Sequence, residues 1–245
     1  RLSFSTKVPG VREAVGAFGP VVAGRGVAQI SSYLDMFLAS MLATGAIAAL
    51  SYAQTLYLLP VSLFGLSVAA SELPELSRIS REQLHAFLGR VERSVRQVLF
   101  LTIPTVIGYL GLGFLLVGAF FRRGNFGLGG TWLVYLLLGG YTLGMLATTV
   151  SRLLQNSFYA LHDTRTPARI AVLRVVISSV IAIPLMFWLD RFAVADVLGL
   201  APQETPLFLG ALGLSLGASV GAWVELWRLQ HALKGKIERF GLPLS

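Results

Sequence analysis

An all-α membrane protein, a bundle of about six transmembrane helices, is the fold class this sequence predicts, and three observations predict it. Hydrophobic residues make up 55% of the 245 and charged residues only 13%, about half the usual charged share of a soluble domain. The mean hydropathy is +0.71. The basic residues fall in short segments between long apolar runs, as in a membrane protein oriented by its loops. A soluble fold of this size with so few charges could not cover its surface; lipid as solvent removes the difficulty.

Six apolar stretches run over about 14–43, 47–73, 97–121, 131–160, 170–189 and 206–227. Each is long enough to cross about 30 Å of hydrocarbon at about 1.5 Å per residue. Short alternating segments, the mark of transmembrane strands, are missing. Thr44-Gly45-Ala46 links the first two stretches so tightly that they form a hairpin. Thr166–Pro167 and Thr205–Pro206 each read as an N-cap followed by proline at the first helical position, opening the fifth and sixth helices. The 26 glycines suit helices that approach backbone to backbone.

Between the second and third stretches, about 80–96 reads as a separate short helix lying in the membrane interface. Ser80 and Gln83 form its capping box, Leu84, Phe87, Leu88 and Val91 its apolar face, and arginines its other face.

Orientation follows from lysine and arginine. With the N-terminus inside, fifteen fall in inner segments, Arg174 among them, and three (Arg122, Arg123 and Arg191) in outer ones. Both ends of the segment are therefore expected on the cytoplasmic side. The net charge of +8 is thus explained by topology rather than by a nucleic-acid partner. There is no cysteine, which excludes disulfides and thiolate metal sites. The chain opens on Arg1 with no signal peptide ahead of it, the expected look of a piece of a longer chain.

No paired-carboxylate motif, nucleophile elbow, phosphate-binding glycine loop or HExxH occurs, so neither an enzyme's catalytic site nor a cofactor is expected. A membrane transferase would want clustered aspartates or histidines for a metal. The informative residues are the polar ones inside apolar runs, which cannot face lipid. Arg25 sits in a stretch broken by Pro20 and four glycines, the interrupted type of helix that lines transporter cavities. Its planar fork matches phosphate oxygens, though a snorkelling arginine is the alternative. Asp35, about ten residues on and roughly 15 Å along the axis, is a candidate for a coupling cation, a proton or an arginine partner, or for solvation near the outer end. Gln29, Gln54, Gln155 and Asn156 are most simply interhelical hydrogen-bonders, with substrate contact the minority reading. Arg152 is a candidate cavity charge or an interface anchor. Glu225 reads as the structural partner of Arg228 at (i, i+3).

Particular strings resemble the MurJ/MviN family. Tyr33-Leu-Asp-Met-Phe-Leu-Ala-Ser40 is similar to the end of its seventh helix, and Ala49-Leu-Ser-Tyr-Ala-Gln-Thr-Leu-Tyr-Leu-Leu-Pro60 to the segment after it. That likeness continues through Leu63-Phe-Gly65 to Leu73-Pro-Glu-Leu-Ser77. Phe121-Arg-Arg-Gly-Asn-Phe126 resembles an outer loop of that family, and Phe158-Tyr-Ala-Leu-His-Asp-Thr-Arg-Thr-Pro167 an inner one. The order is kept across most of residues 20–175. The resemblance implies one six-helix lobe, the second, of a two-lobe exporter that flips lipid II for peptidoglycan in the bacterial cytoplasmic membrane. A first lobe, in the same longer chain or a partner chain, is implied with it. One departure stands out: where that family usually reads Ala-Asp-Arg-Leu, this chain reads Ala53-Gln54-Thr55-Leu56. Arg25, Arg152, Gln29, Gln54 and Thr55 are accordingly the expected substrate-binding set and Asp35 the coupling candidate. The alternatives are a related exporter for another glycolipid or small cation, and a non-transporting membrane subunit or scaffold.

Overall fold

A computed structural model describes residue 26 and residues 29–66, 84–122, 126–161, 163–201 and 206–238. Residues 29–40 form helix α1. It is followed by α2 (Ala46–Pro60, continued as a π-helical stretch Val61–Leu66), α3 (Leu84–Phe121), α4 (Leu128–Leu143) and α5 (Met145–Ala160). Then come α6 (Arg165–Leu189), the short α7 (Val194–Leu198) and α8 (Gly210–Glu238). Among the described residues there is no strand, only a bridge between Ala193 and Phe208.

Three helical segments are long and apolar enough to cross a membrane: Ala46–Phe64, Phe87–Phe121 and Arg165–Leu189. Taken together, α4 and α5 make a fourth, bent by 43°. α8 is 29 residues long, roughly 44 Å, but glycine and serine dilute its apolar character.

The α1–α2 hairpin turns within residues 41–45. Gly45 takes φ 94 ahead of Ala46, a left-handed backbone that side chains disfavour. The chain then meets Pro60, which has no N–H for the carbonyl of Leu56 one turn back. The Tyr109 hydroxyl on α3 donates to that carbonyl instead, at 2.7 Å.

Three expectations change here. From Leu84 onward, the segment expected as a separate interfacial helix is the first part of α3, which runs unbroken to Phe121. Phe87 and Val91 pack into the bundle with Val150, Phe158, Ile170 and Leu229, and this burial carries the helix on; Ser80 and Gln83 lie outside the described residues. The stretch 131–160 is two helices, because the chain bends at Gly144, whose N–H bonds back to Tyr141 at 3.0 Å rather than to Gly140. The carbonyl left over at Gly140 accepts from the Ser219 hydroxyl of α8, and Trp223 Nε1 donates to Leu143 O at 2.9 Å. A side chain at Gly144 would run into the Ser219 backbone.

The third concerns the caps. The amide of Thr166 donates to Asp163 Oδ1 at 3.0 Å and its hydroxyl to Asp163 Oδ2 at 2.8 Å. Asp163 therefore caps α6, and Thr166–Pro167 sit inside its first turn. At the other expected start, Pro206 is not helical and α8 opens at Gly210; Thr205 lies outside the described residues.

The tightest packing is between the antiparallel helices α6 and α8. Side chains added at Gly213, Gly217 and Gly221 would strike the Met186 backbone, Ala182 and Ser178 in turn. Each step of four residues up α8 meets a step of four down α6. One step further, Glu225 meets Arg174; eleven residues beyond on both strands of the seam, Lys236 meets Asp163 at 2.8 Å. Small residues permit the close approach, which in a bilayer replaces the missing hydrophobic drive. Burial alone would raise the Asp163 carboxyl, but the Lys236 ammonium and the Thr166 amide and hydroxyl outweigh it and hold it below the ordinary 3.8.

Candidate functional site

Polar side chains from six helices converge inside the bundle. On α8, Glu225 is 2% exposed, and both of its carboxylate oxygens are bonded. Gln155 Nε2 of α5 donates to Oε1 at 2.8 Å and Arg174 NH1 of α6 donates to Oε2 at 2.6 Å. Arg174 lies nine residues into α6, roughly 14 Å from its start. A carboxylate at that depth persists only when paired and hydrogen-bonded, and this one is both.

Beside this triad, Gln54 and Tyr57 share one face of α2. Gln54 Nε2 donates to the Tyr141 hydroxyl on α4 at 3.0 Å, and the Tyr57 hydroxyl donates to Thr148 Oγ1 on α5 at 3.0 Å. The two tyrosine rings pack with centroids 5.3 Å apart. Asp35 completes the cluster from the inward face of α1, half-buried. It lies within electrostatic reach of both Arg174 and Tyr141. The arrangement sets a buried carboxylate, a half-buried carboxylate and a partly exposed guanidinium among amides and phenols, so charge changes act more strongly here than in bulk water.

The six residues expected to bind substrate or couple transport divide. Asp35 and Gln54 enter the cluster. Thr55 is exposed, its hydroxyl donating to Ser51 O of its own helix at 2.8 Å. Gln29 is exposed on α1 and Arg152 half-buried on α5. Arg25 lies outside the described residues. The expected pairing of Glu225 with Arg228 is corrected: its partner is Arg174, fifty-one residues away, because Glu225 faces the α6 seam while Arg228 is exposed.

Sequence reasoning missed Arg174, Tyr57, Tyr141 and Thr148 as site residues and read Glu225 as structural. A signal existed for two of them. Arg174 is flanked by Val172-Leu173 and Val175-Val176, and Glu225 by Trp223-Val224 and Leu226-Trp227; an ionisable group amid apolar residues demands an inward partner. The tyrosines and the threonine carried no such mark. Among the described residues, no group of three or more histidine or acidic side chains is placed to hold a metal.

Long apolar helices enclosing a paired intramembrane charge define an all-helical integral membrane protein of multi-pass type. Over residues 1–238 the sequence matches the family described as Lipid II flippase MurJ, and the chain belongs to that family. A relative from Haemophilus influenzae, named a probable lipid II flippase MurJ, is 32% identical over 178 residues, covering 69% of this chain and 35% of the relative. A Vibrio cholerae relative of the same name is 28% identical over 235 residues, 95% of this chain and 41% of its own length. A solved structure titled "Lipid II flippase MurJ, inward closed conformation" has the same fold, with a TM-score of 0.75 at 24% identity. It is matched over 96% of this chain and 45% of its own. The chain therefore spans less than half the length of these relatives.

Proposed function

We propose that this chain forms the second lobe of a flippase carrying lipid II, a polyprenyl-diphosphate-linked cell-wall precursor, across the bacterial cytoplasmic membrane by alternating access. The match over residues 1–238 is the observation that carries the reading, and the internal charge cluster supports it. In this reading the lobe has six spans, both ends of the segment lie in the cytoplasm, and a first lobe completes the cavity. Neither lobe performs covalent chemistry. Arg25 and Arg152 are assigned the diphosphate, with Gln29, Gln54 and Thr55 as polar lining; arginine–phosphate bonds in a low-dielectric cavity would supply the affinity. Asp35 is assigned the coupling cation or proton.

In cells depleted of the full-length protein, lipid II reachable by an added extracellular cleaving enzyme falls while total lipid II rises. An unchanged reachable pool overturns the reading.

The pair Gln54-Thr55, in place of the Asp-Arg usual in the resembling family, favours a second reading in which another glycolipid is the cargo. Binding of lipid II against other polyprenyl diphosphates, with wild type and Arg25→Ala, separates the two. Preference for lipid II that is lost in the variant supports the first; equal weak binding throughout supports the second.

A further inference from the structure

The side of α8 turned away from α6 has a chemistry the transport reading does not use. Val220, Trp223 and Trp227 are exposed along it, at 41%, 47% and 56%. The same stripe continues into Gln230, His231 and Lys234, also exposed, with Arg228 at its edge. The Trp227 indole is flanked on this stripe: the His231 ring packs beside it with centroids 5.3 Å apart, and the Arg228 guanidinium carbon lies 6.0 Å from its centroid. An apolar face that passes through tryptophan into cations is the profile of a helix crossing from hydrocarbon to headgroups.

Two other helices make the same transition at the same end of the bundle. On α6 the exposed residues change from Arg165 and Arg169 to Val172, Val176 and Val180; on α3 they change from Arg93 and Arg96 to Phe100, Ile103 and Ile107. These ends are tied together by the cluster of Phe87, Val91, Ile170, Leu229 and Leu233. The boundary plane is therefore common to three helices, and the stripe on α8 crosses it. On α3, Arg96 is already engaged by Glu92 at 3.1 Å. On α8, the His231 ring and the Arg228 guanidinium both lie against one indole, where the exposed residues of the helix turn from apolar to basic. That is a preformed cradle rather than a scatter of surface charge.

We propose that this stripe binds the headgroup of an anionic phospholipid, with Arg228 and His231 holding the phosphate beside Trp227, Lys234 adding a further charge, and an acyl chain lying along Trp223 and Val220. Charge complementarity selects an anionic lipid over a zwitterionic one, each lysine or arginine near the surface contributing roughly a factor of five (about 1 kcal/mol). A neutral imidazole donates through one ring nitrogen and a protonated one through both, so either form can donate to a phosphate oxygen.

The test uses the full-length protein. Released from nanodiscs containing equal phosphatidylglycerol and phosphatidylcholine, the wild type retains phosphatidylglycerol preferentially in native mass spectrometry. Arg228→Gln combined with Lys234→Gln lowers that preference about 25-fold, the product of two such factors. Equal retention of the two lipids by the wild type, or an unaltered preference in the double variant, overturns the proposal. A readout that leaves the cradle intact is Gln230→Cys on a cysteine-free background, carrying a photoreactive label in native membranes. Capture of anionic phospholipid supports the site; capture of a protein segment, or of zwitterionic lipid alone, overturns it.

Discussion

α3 and α8 both run the length of the bundle, yet they are built in opposite ways. α3 contains 38 residues, and its exposed side carries Phe100, Ile103, Ile107, Leu112, Leu115 and Phe120. Gly108 and Gly111 on it have open space where a side chain would go. α8 spends its inner face on Gly213, Gly217 and Gly221, each in contact with α6, and on the buried Ser215, Ser219 and Glu225. The hydropathy of a helix here reports how much of it faces lipid, not how deeply it is buried. In water the two quantities rise together; in a bilayer they separate, because lipid solvates large apolar side chains while helix contacts favour small and hydrogen-bonding ones.

The contrast breaks first at glycine. Gly213→Leu drives a side chain into the Met186 backbone and should cost about 3 kcal/mol or more by overpacking. Gly111→Leu on α3, facing open space, should stay within about 0.5 kcal/mol. Thermal unfolding of the purified protein, followed by size-exclusion chromatography, distinguishes them; equal losses would remove the distinction between the helices.

An effect of comparable size tests whether the charge on α8 belongs to the seam. Glu225→Ala leaves Arg174 and Gln155 facing a cavity and should cost about 3–5 kcal/mol if the guanidinium stays buried, less if it reaches water. Glu225→Gln, which keeps the bond to Gln155, should recover part of that loss in the same unfolding assay. The smallest effect lies at the end of the seam. Lys236→Ala removes one partner of the partly exposed pair with Asp163, worth about 0.5 kcal/mol at neutral pH. Because the Asp163 carboxyl is held below 3.8, its contribution is full above that value and fades as pH falls through its depressed pKa. Wild type and variant should therefore converge in stability in strong acid; a gap unchanged down to pH 2 would assign the effect to packing.

The sequence was most legible where local chemistry suffices. The hairpin at Gly45, the apolar runs of α2, α3 and α6, and the helical membrane class all follow from composition and spacing. Asp35 and Gln54 were marked by polarity alone and do enter the cluster. Thr166–Pro167 misled at the start of α6: both an acidic and a hydroxyl cap were present within four residues, and the carboxylate of Asp163 took the role with Lys236 behind it.

What the chain determined by itself is its solvent and the places where its backbone must turn, since side-chain polarity and glycine's freedom act over a few residues. What only the tertiary structure decided is partnership across distance. The bend at Gly144 depends on Ser219 and Trp223 of α8 to satisfy the carbonyls it releases. The pairing of Glu225 with Arg174 depends on the antiparallel register of two helices whose glycines allow them to touch. A buried charge states that it needs a counter-charge; which one it finds is set by how the helices slide until their small residues interlock.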